Sequence, residues 1–394
     1  MHCCPVCLSL DSLPLITVTR APLIGCLFAD SMPDALAAEI GDLELVQCTE
    51  CTHIYNRAFE PERIRYVPGY ENALGYSQHH HAQLTATVDH LIRDHGLRHK
   101  YIAELGCGDA NFLSQLCGRG SNIGIGYDPT QVYRSIRVGE GSVEVRSENF
   151  APAKHDPVDF VCSQHVLEHL PELQQTLRYA RSILKQKGCG YFEVPNGRTI
   201  FREGHIWDLT YEHLSYFTPQ SLHRALSDAG FSVSKIESSF GDQYLYAEVL
   251  AEGAAAPPPT EEDLDFCQTF PEAFSSTLSQ WNDQISVLTA EGRRIVLWGA
   301  GTKAVGFLNM LDITSDGGIK YVVDVNPRKS ARFVPRTAQK IVSPEHLRHY
   351  RPDVVIVMNA EYVREIQTML ESMSVQCAVF VATGAPHRQL AAPF

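Results

Sequence analysis

The sequence predicts an α/β protein built on a mainly parallel, doubly wound sheet, with a small cysteine-rich module before it and a second α/β unit after it. Three observations carry this. Strand-like runs alternate with helix-length segments over 86–252, as crossover connections require. Two Cys-x-x-Cys pairs stand in the first block, Cys4-Pro-Val-Cys7 and Cys48-Thr-Glu-Cys51. A strand followed by a glycine turn recurs late in the chain, at Arg294-Ile-Val-Leu-Trp298 and Gly299-Ala-Gly301.

Taken in order, residues 1–85 mix short strands and turns, and Leu43–Gln47 is strand-like before the second cysteine pair. In 86–252, Tyr101–Leu105, Ile123–Asp128, Val158–Cys162 and Cys189–Val194 read as buried strands. A helix is expected near 164–187. Another starts with Thr218 as N-cap and Pro219 at the first helical position, and Gly230 closes it. Two strands near 231–237 and 243–251 end the block. Ala254-Ala-Ala-Pro-Pro-Pro259 is a stiff linker, and a helix is expected over 262–290. The last unit, 291–394, has strands at Arg294–Trp298, Ile319–Asp324 and Val354–Met358, with a helix over 303–311.

Composition bounds the function. A formal charge of −13 argues against non-specific nucleic-acid binding, which wants a basic surface. No apolar run approaches the ~18 residues of a membrane helix. Met1-His-Cys-Cys-Pro-Val-Cys7 has no basic segment followed by an apolar core, so no export signal is read and a cytoplasmic location is expected. The twelve cysteines then read as reduced thiols, some of them metal ligands.

A two-residue gap lets both thiolates of a pair reach one ion. Two such pairs complete a tetrahedral, closed and therefore structural zinc site of Cys4, Cys7, Cys48 and Cys51, with Cys3 an alternative to Cys4. The metal would hold a module with little core of its own.

Glu104-Leu-Gly-Cys-Gly-Asp109 follows a strand and opens a helix, so Gly106 and Gly108 allow close backbone approach of a ligand. Asp128 ends the next strand, where a carboxylate accepts ribose hydroxyls. Asn111 stands where a dinucleotide fingerprint wants a small residue. This segment resembles motifs I and II of class I S-adenosylmethionine (SAM) methyltransferases, and Ser163-Gln-His-Val-Leu-Glu-His-Leu-Pro171 resembles the segment after their fourth strand. The resemblance implies SAM contacts at Glu104, Gly106, Gly108, Asp109 and Asp128, at Asn149 and Phe150 beside the adenine, and at Ser163 and Gln164. His165-Val-Leu-Glu168-His169 also fits the pattern of inverted zinc proteases, but spacing suggests no third ligand and the string is common in this methyltransferase segment.

Trp207-Asp-Leu-Thr-Tyr-Glu-His-Leu-Ser-Tyr-Phe217 lies after the fifth strand, where loops line the ligand crevice. His213, with Glu212 beside it, is the best general-base candidate in the chain. With this loop the chain resembles the tetronitrose type of sugar C-methyltransferase, which acts on nucleotide-linked keto-deoxysugars and joins a zinc module, a SAM domain and a Rossmann-like domain. Glu212, His213, Tyr216 and Phe217 match its Y-H-E-H-x-x-Y-F loop, and Thr210 stands where that family carries tyrosine. The resemblance implies His213 as base, Glu212 and His169 in the active site, and Tyr70, Tyr211 and Tyr216 near the substrate. The C-terminal Gly299-x-Gly301-x-x-Ala304 with Asp324 matches a dinucleotide turn, but the resemblance implies a cofactor-free domain that walls the substrate pocket. A SAM-dependent O- or N-methyltransferase on another metabolite, a non-catalytic SAM- and zinc-binding protein, and an NAD oxidoreductase are the rival readings.

Overall fold

The computed structural model describes residues 3–66, 69–71, 75–150, 157–253 and 266–389. The expected linker at 254–259 lies outside them. The N-terminal part holds strands β1 (Ser12–Pro22), β2 (Ile40–Cys48) and β3 (Ile54–Asn56), paired antiparallel. The middle part adds β4 (Tyr101–Leu105), β5 (Ile123–Tyr127), β6 (Arg134–Val138), β7 (Gly141–Arg146), β8 (Val158–Gln164), β9 (Leu184–Pro195), β10 (Ser215–Tyr216), β11 (Ser232–Ser239) and β12 (Tyr244–Leu250). Eight of these make one sheet, in the order β11-β12-β9-β8-β4-β5-β7-β6. The sheet reverses direction of winding between β4 and β8, so the crevice opens at the carboxyl ends of those two strands.

β10 is the strand left over. It pairs with β3 instead, Ser215 opposite Tyr55 and Tyr216 opposite Ile54. The N-terminal sheet is therefore completed by the loop that carries His213. The helix Gln78–Asp94 likewise runs through 85–86, where the sequence places a boundary. The C-terminal part contributes β13 (Ile295–Trp298), β14 (Ile319–Val323), β15 (Lys340–Val342), β16 (Val354–Val357), β17 (Ala378–Val381) and β18 (His387–Gln389), in the order β15-β14-β13-β16-β17-β18. All its pairings but the last are parallel. β13 and β16 are buried at every position, as a strand covered on both faces must be.

The Thr218 cap forms as expected, with a capping box to Ser221 and Pro219 in the first turn. The helix expected near 164–187 does not form as one element. β8 runs to Gln164, His165 takes φ +54°, Leu167–His169 make a single 3-10 turn, and the helix spans only Leu173–Ser182. Pro171 is the cause. Its ring pushes Leu170 into the extended region, at φ −86° and ψ 114°, which breaks any helix continuing from Glu168.

Candidate active site

β4 delivers the first glycine turn. Gly106 and Gly108 both have positive φ, +64° and +51°, which glycine adopts without strain. A side chain at Gly106 would also collide with Val166 Cγ2. The turn is clamped to the next strand: Gly108 N–H donates to Asp128 Oδ2 at 2.9 Å, and Thr130 donates to Asp128 Oδ1 through N–H and hydroxyl. Glu104 is buried at the end of β4, and its Oε2 has no partner among the described residues. An orphaned carboxyl beside an open glycine turn suits a ligand that carries an ammonium and a carboxylate, as the methionyl end of SAM does. Burial pushes its pKa well up, with Asp109 and Asp128 adding to the effect.

Other expected cofactor residues are placed as follows. Asp109 is exposed and its carboxylate accepts from Asn111 N–H at 3.0 Å. Asn149 is exposed, and Phe150 packs edge-on against Tyr127 with ring centroids 5.3 Å apart. Ser163 donates to the Leu105 carbonyl, and Gln164 donates to Glu193, so these two side chains tie the sheet together.

Within His165–His169, Val166 faces Gly106, while His165, Glu168 and His169 line a cavity of 290 Å³. His213 and Tyr70 line the same cavity. Its far wall comes from the C-terminal part, including Gly299, Gly301, Lys303 and Asn359. Polar contacts knit the two walls: Asn359 and Gln243 bond through both amide ends at 2.7 and 2.8 Å, and Lys303 reaches Gln243 at 3.0 Å and Asp208 at 3.2 Å.

The tertiary structure brings His169 and His213 together, ring centroids 4.9 Å apart. His169 Nδ1 lies 2.9 Å from the Glu212 carbonyl, which can only accept, so Nδ1 carries the proton and Nε2 the lone pair. Tyr66 OH sits 2.8 Å from the same nitrogen. His213 Nδ1 is buried without a partner among the described residues. Burial, then the neighbouring His169 and His165, push the His213 pKa well down, so the ring is neutral at pH 7. Burial also holds His169 down to about 4 and His165 to about 3.

Neighbouring residues of this loop are spent elsewhere. Although Glu212 stands beside His213 in the chain, its carboxylate has other partners. It accepts from Gly25 N–H at 2.9 Å and Tyr70 OH at 3.1 Å, because the loop turns between the two residues, and burial raises it to about 7. Tyr211 and Tyr216 do not line the cavity. Tyr211 OH donates to the Ala58 carbonyl and accepts from Glu60 N–H, fixing the loop to the N-terminal part. Tyr216 OH bridges the N–H and C=O of Thr210. Glu168, which the sequence reading met only in the zinc-protease pattern and gave no catalytic role, lines the cavity. The fold also supplies the third ligand-type group that spacing did not: atoms of Glu168, His169 and His213 lie within 4.8 Å of one another.

The four cysteines Cys4, Cys7, Cys48 and Cys51 converge, with Cys4 Sγ 3.6 Å from Cys51 Sγ and Cys7 Sγ 3.5 Å from Cys48 Sγ. Tetrahedral thiolates about 2.3 Å from one zinc ion stand about 3.8 Å apart, so the set is compatible with zinc. Cys3 is outside the cluster. In the C-terminal part, Asp324 accepts from Ala300 N–H and Asn326 N–H and pairs with the buried Lys329 at 3.2 Å.

Comparisons with known proteins agree with this arrangement. A family model described as "Methyltransferase domain" matches residues 77–236, and one described as "C-methyltransferase C-terminal domain" matches residues 259–383. C-methyltransferase NovU of Streptomyces niveus is 22% identical over 389 residues, spanning 92% of this chain and 90% of that protein. Ubiquinone biosynthesis O-methyltransferase of Yersinia pestis is 26% identical over 145 residues, 34% of this chain and 58% of that protein. Magnesium protoporphyrin IX methyltransferase from Synechocystis, solved with bound SAH, aligns with a TM-score of 0.35 at 16% identity, over 44% of this chain and 83% of that one. The strand order, the glycine turn and the first family model define a SAM-dependent methyltransferase of the class I fold. More narrowly, the chain is a homologue of a C-methyltransferase over 92% of its length and carries a C-methyltransferase C-terminal domain behind the methyltransferase domain.

Proposed function

We propose that the enzyme C-methylates a nucleotide-linked keto-deoxysugar through an enolate, with His213 as the base. The observation that carries this is a single cavity with histidines at one wall and a glycine turn at the other. His213 and His169 both line this cavity, which supports a role in taking the proton. The Gly299–Gly301 turn opens the helix Thr302–Met310, and such a helix start suits a pyrophosphate.

SAM, when bound at the Glu104–Gly108 turn, supplies an electrophilic methyl on a sulfonium. A saturated sugar carbon becomes nucleophilic only when its proton is removed beside a carbonyl. His213, held neutral by burial, takes that proton. Glu212 and Tyr70 brace the wall behind it, and the Glu212 carbonyl fixes the His169 tautomer. Zinc at Cys4, Cys7, Cys48 and Cys51 would hold the β2–β3 turn, and β3 in turn pairs with β10 just after His213.

The test pairs binding with turnover. Calorimetry of the SAH-loaded protein against dTDP, UDP and GDP should show a preference for one nucleotide. His213→Gln should lose about 10²–10⁴-fold in turnover while SAH still binds. Absence of binding by any nucleotide moves the acceptor outside nucleotide sugars, and full turnover of His213→Gln removes it as base.

A further inference from the structure

Among the described residues of the cavity wall, Glu168 carries a buried oxygen that the mechanism above leaves unused. Glu168 is 1% exposed, and its Oε2 is buried without a hydrogen-bond partner among the described residues. Its Oε1 lies 3.8 Å from His165 Nδ1 and 4.0 Å from His169 Nε2, both beyond hydrogen-bond length. The carboxyl nevertheless stands within 4.8 Å of ring nitrogens of His169 and His213. Glu168 therefore lines the acceptor cavity next to the proposed base, with its unspent oxygen buried in the wall. A buried polar atom without a partner costs about 1–3 kcal/mol, so its retention in a cavity wall points to a partner that arrives with the ligand.

The chemical state of this carboxyl decides what the partner can be. Burial, with Glu212 and Glu193 also disfavouring a second negative charge nearby, pushes it up to about 8. At pH 7 the group is mainly a carboxylic acid, which donates a hydrogen bond. The histidines around it are held neutral, so none supplies a positive charge to draw the proton off. A neutral carboxylic acid in an apolar site is an effective donor to an enolate oxygen. The need for one is strong here, because a histidine of depressed basicity removes a C–H proton only if the oxygen receiving the charge is stabilised.

We propose that Glu168 is a catalytic residue that donates a hydrogen bond to the acceptor's carbonyl oxygen as that oxygen becomes an enolate. This rests on the enolate reading of the reaction. In the step, the substrate C–H bond breaks and its proton passes to His213. The C–H electron pair becomes the carbon–carbon π bond, and the carbonyl π pair moves onto oxygen, where the Glu168 O–H meets it. Glu168 keeps its proton. Return of a proton to carbon from His213 regenerates the ketone, and in D₂O that return delivers deuterium.

The exchange reaction isolates this step. A dTDP-linked 4-keto-6-deoxyhexose is incubated in D₂O with SAH and the wild-type, Glu168→Gln or Glu168→Leu enzyme, and deuterium at the carbon beside the ketone is read by NMR. SAH affinity by calorimetry checks that each variant is folded. Wild type should exchange. Gln, whose amide N–H still donates, should remain within about tenfold, and Leu should fall about 10²–10³-fold, the usual cost of one oxyanion donor. Wild-type exchange should also decline above pH 8 as the acid ionises, with no such decline in the Gln variant. Equal exchange by Leu and wild type overturns the proposal. Gln as slow as Leu also overturns it. No exchange in wild type removes the enolate reading itself, and Glu168's role falls with it.

Discussion

Replacing Glu168 by Gln should make the protein more resistant to unfolding as pH rises, relative to wild type. The acid is buried, and its pKa climbs from 4.5 to about 8 on folding. An acid with a raised folded pKa contributes in full below its unfolded value and loses that contribution as pH rises through the folded one. The whole loss, between pH 4.5 and 8, is about 5 kcal/mol at about 1.4 kcal/mol per unit. The neighbouring histidines act in the opposite sense. His165 and His169 fall from 6.5 to about 3 and about 4, so their contribution is complete above pH 6.5 and disappears as pH falls. Between pH 6.5 and 8 the histidines are therefore silent and Glu168 is not. Wild type should lose about 2 kcal/mol across this window that the Gln variant keeps. In a thermal scan of both proteins at the two pH values, the variant gains roughly 4–8 °C on wild type for a unit of 150–250 residues. Parallel pH dependence of the two melting curves would refute a protonated, buried Glu168.

Two further outcomes test the arrangement around the site. Tyr211→Phe removes the hydroxyl that bonds Ala58 and Glu60, so it should cost about 1–3 kcal/mol of stability while kcat stays within twofold; a large drop in kcat at unchanged stability would return Tyr211 to the substrate wall. Stripping metal with a chelator should disorder the β2–β3 turn and release β10, lowering turnover about tenfold or more while SAH affinity changes little. Unchanged turnover of a metal-free protein, verified by elemental analysis, would separate the cysteine cluster from the His213 loop.

Much of the machinery was legible residue by residue. The Cys-x-x-Cys spacing marked the cluster that forms, and Gly106 and Gly108 marked a turn whose positive φ only glycine takes easily. The Thr218-Pro219 start was readable because a cap is a property of three or four neighbouring residues. The helix expected from 164 failed at a local feature, Pro171, which stands in the sequence and whose effect on Leu170 overrides the helical run.

What only the tertiary structure decided is the set of contacts between distant residues. Glu212 adjoins His213 in the chain, yet its carboxylate meets Gly25, 187 positions away. Tyr211 and Tyr216 carry the same phenol as Tyr70, but only Tyr70 lines the cavity. Residue type gives a side chain its chemistry, and short-range spacing gives turns, caps and ligand knuckles. Which atom each side chain spends on structure, and which it leaves free, depends on how three sheets pack. That packing spends the oxygens of Tyr211 and Tyr216 on backbone groups. It leaves an oxygen of Glu168 and a nitrogen of His213 unpartnered among the described residues, on two side chains that line one cavity.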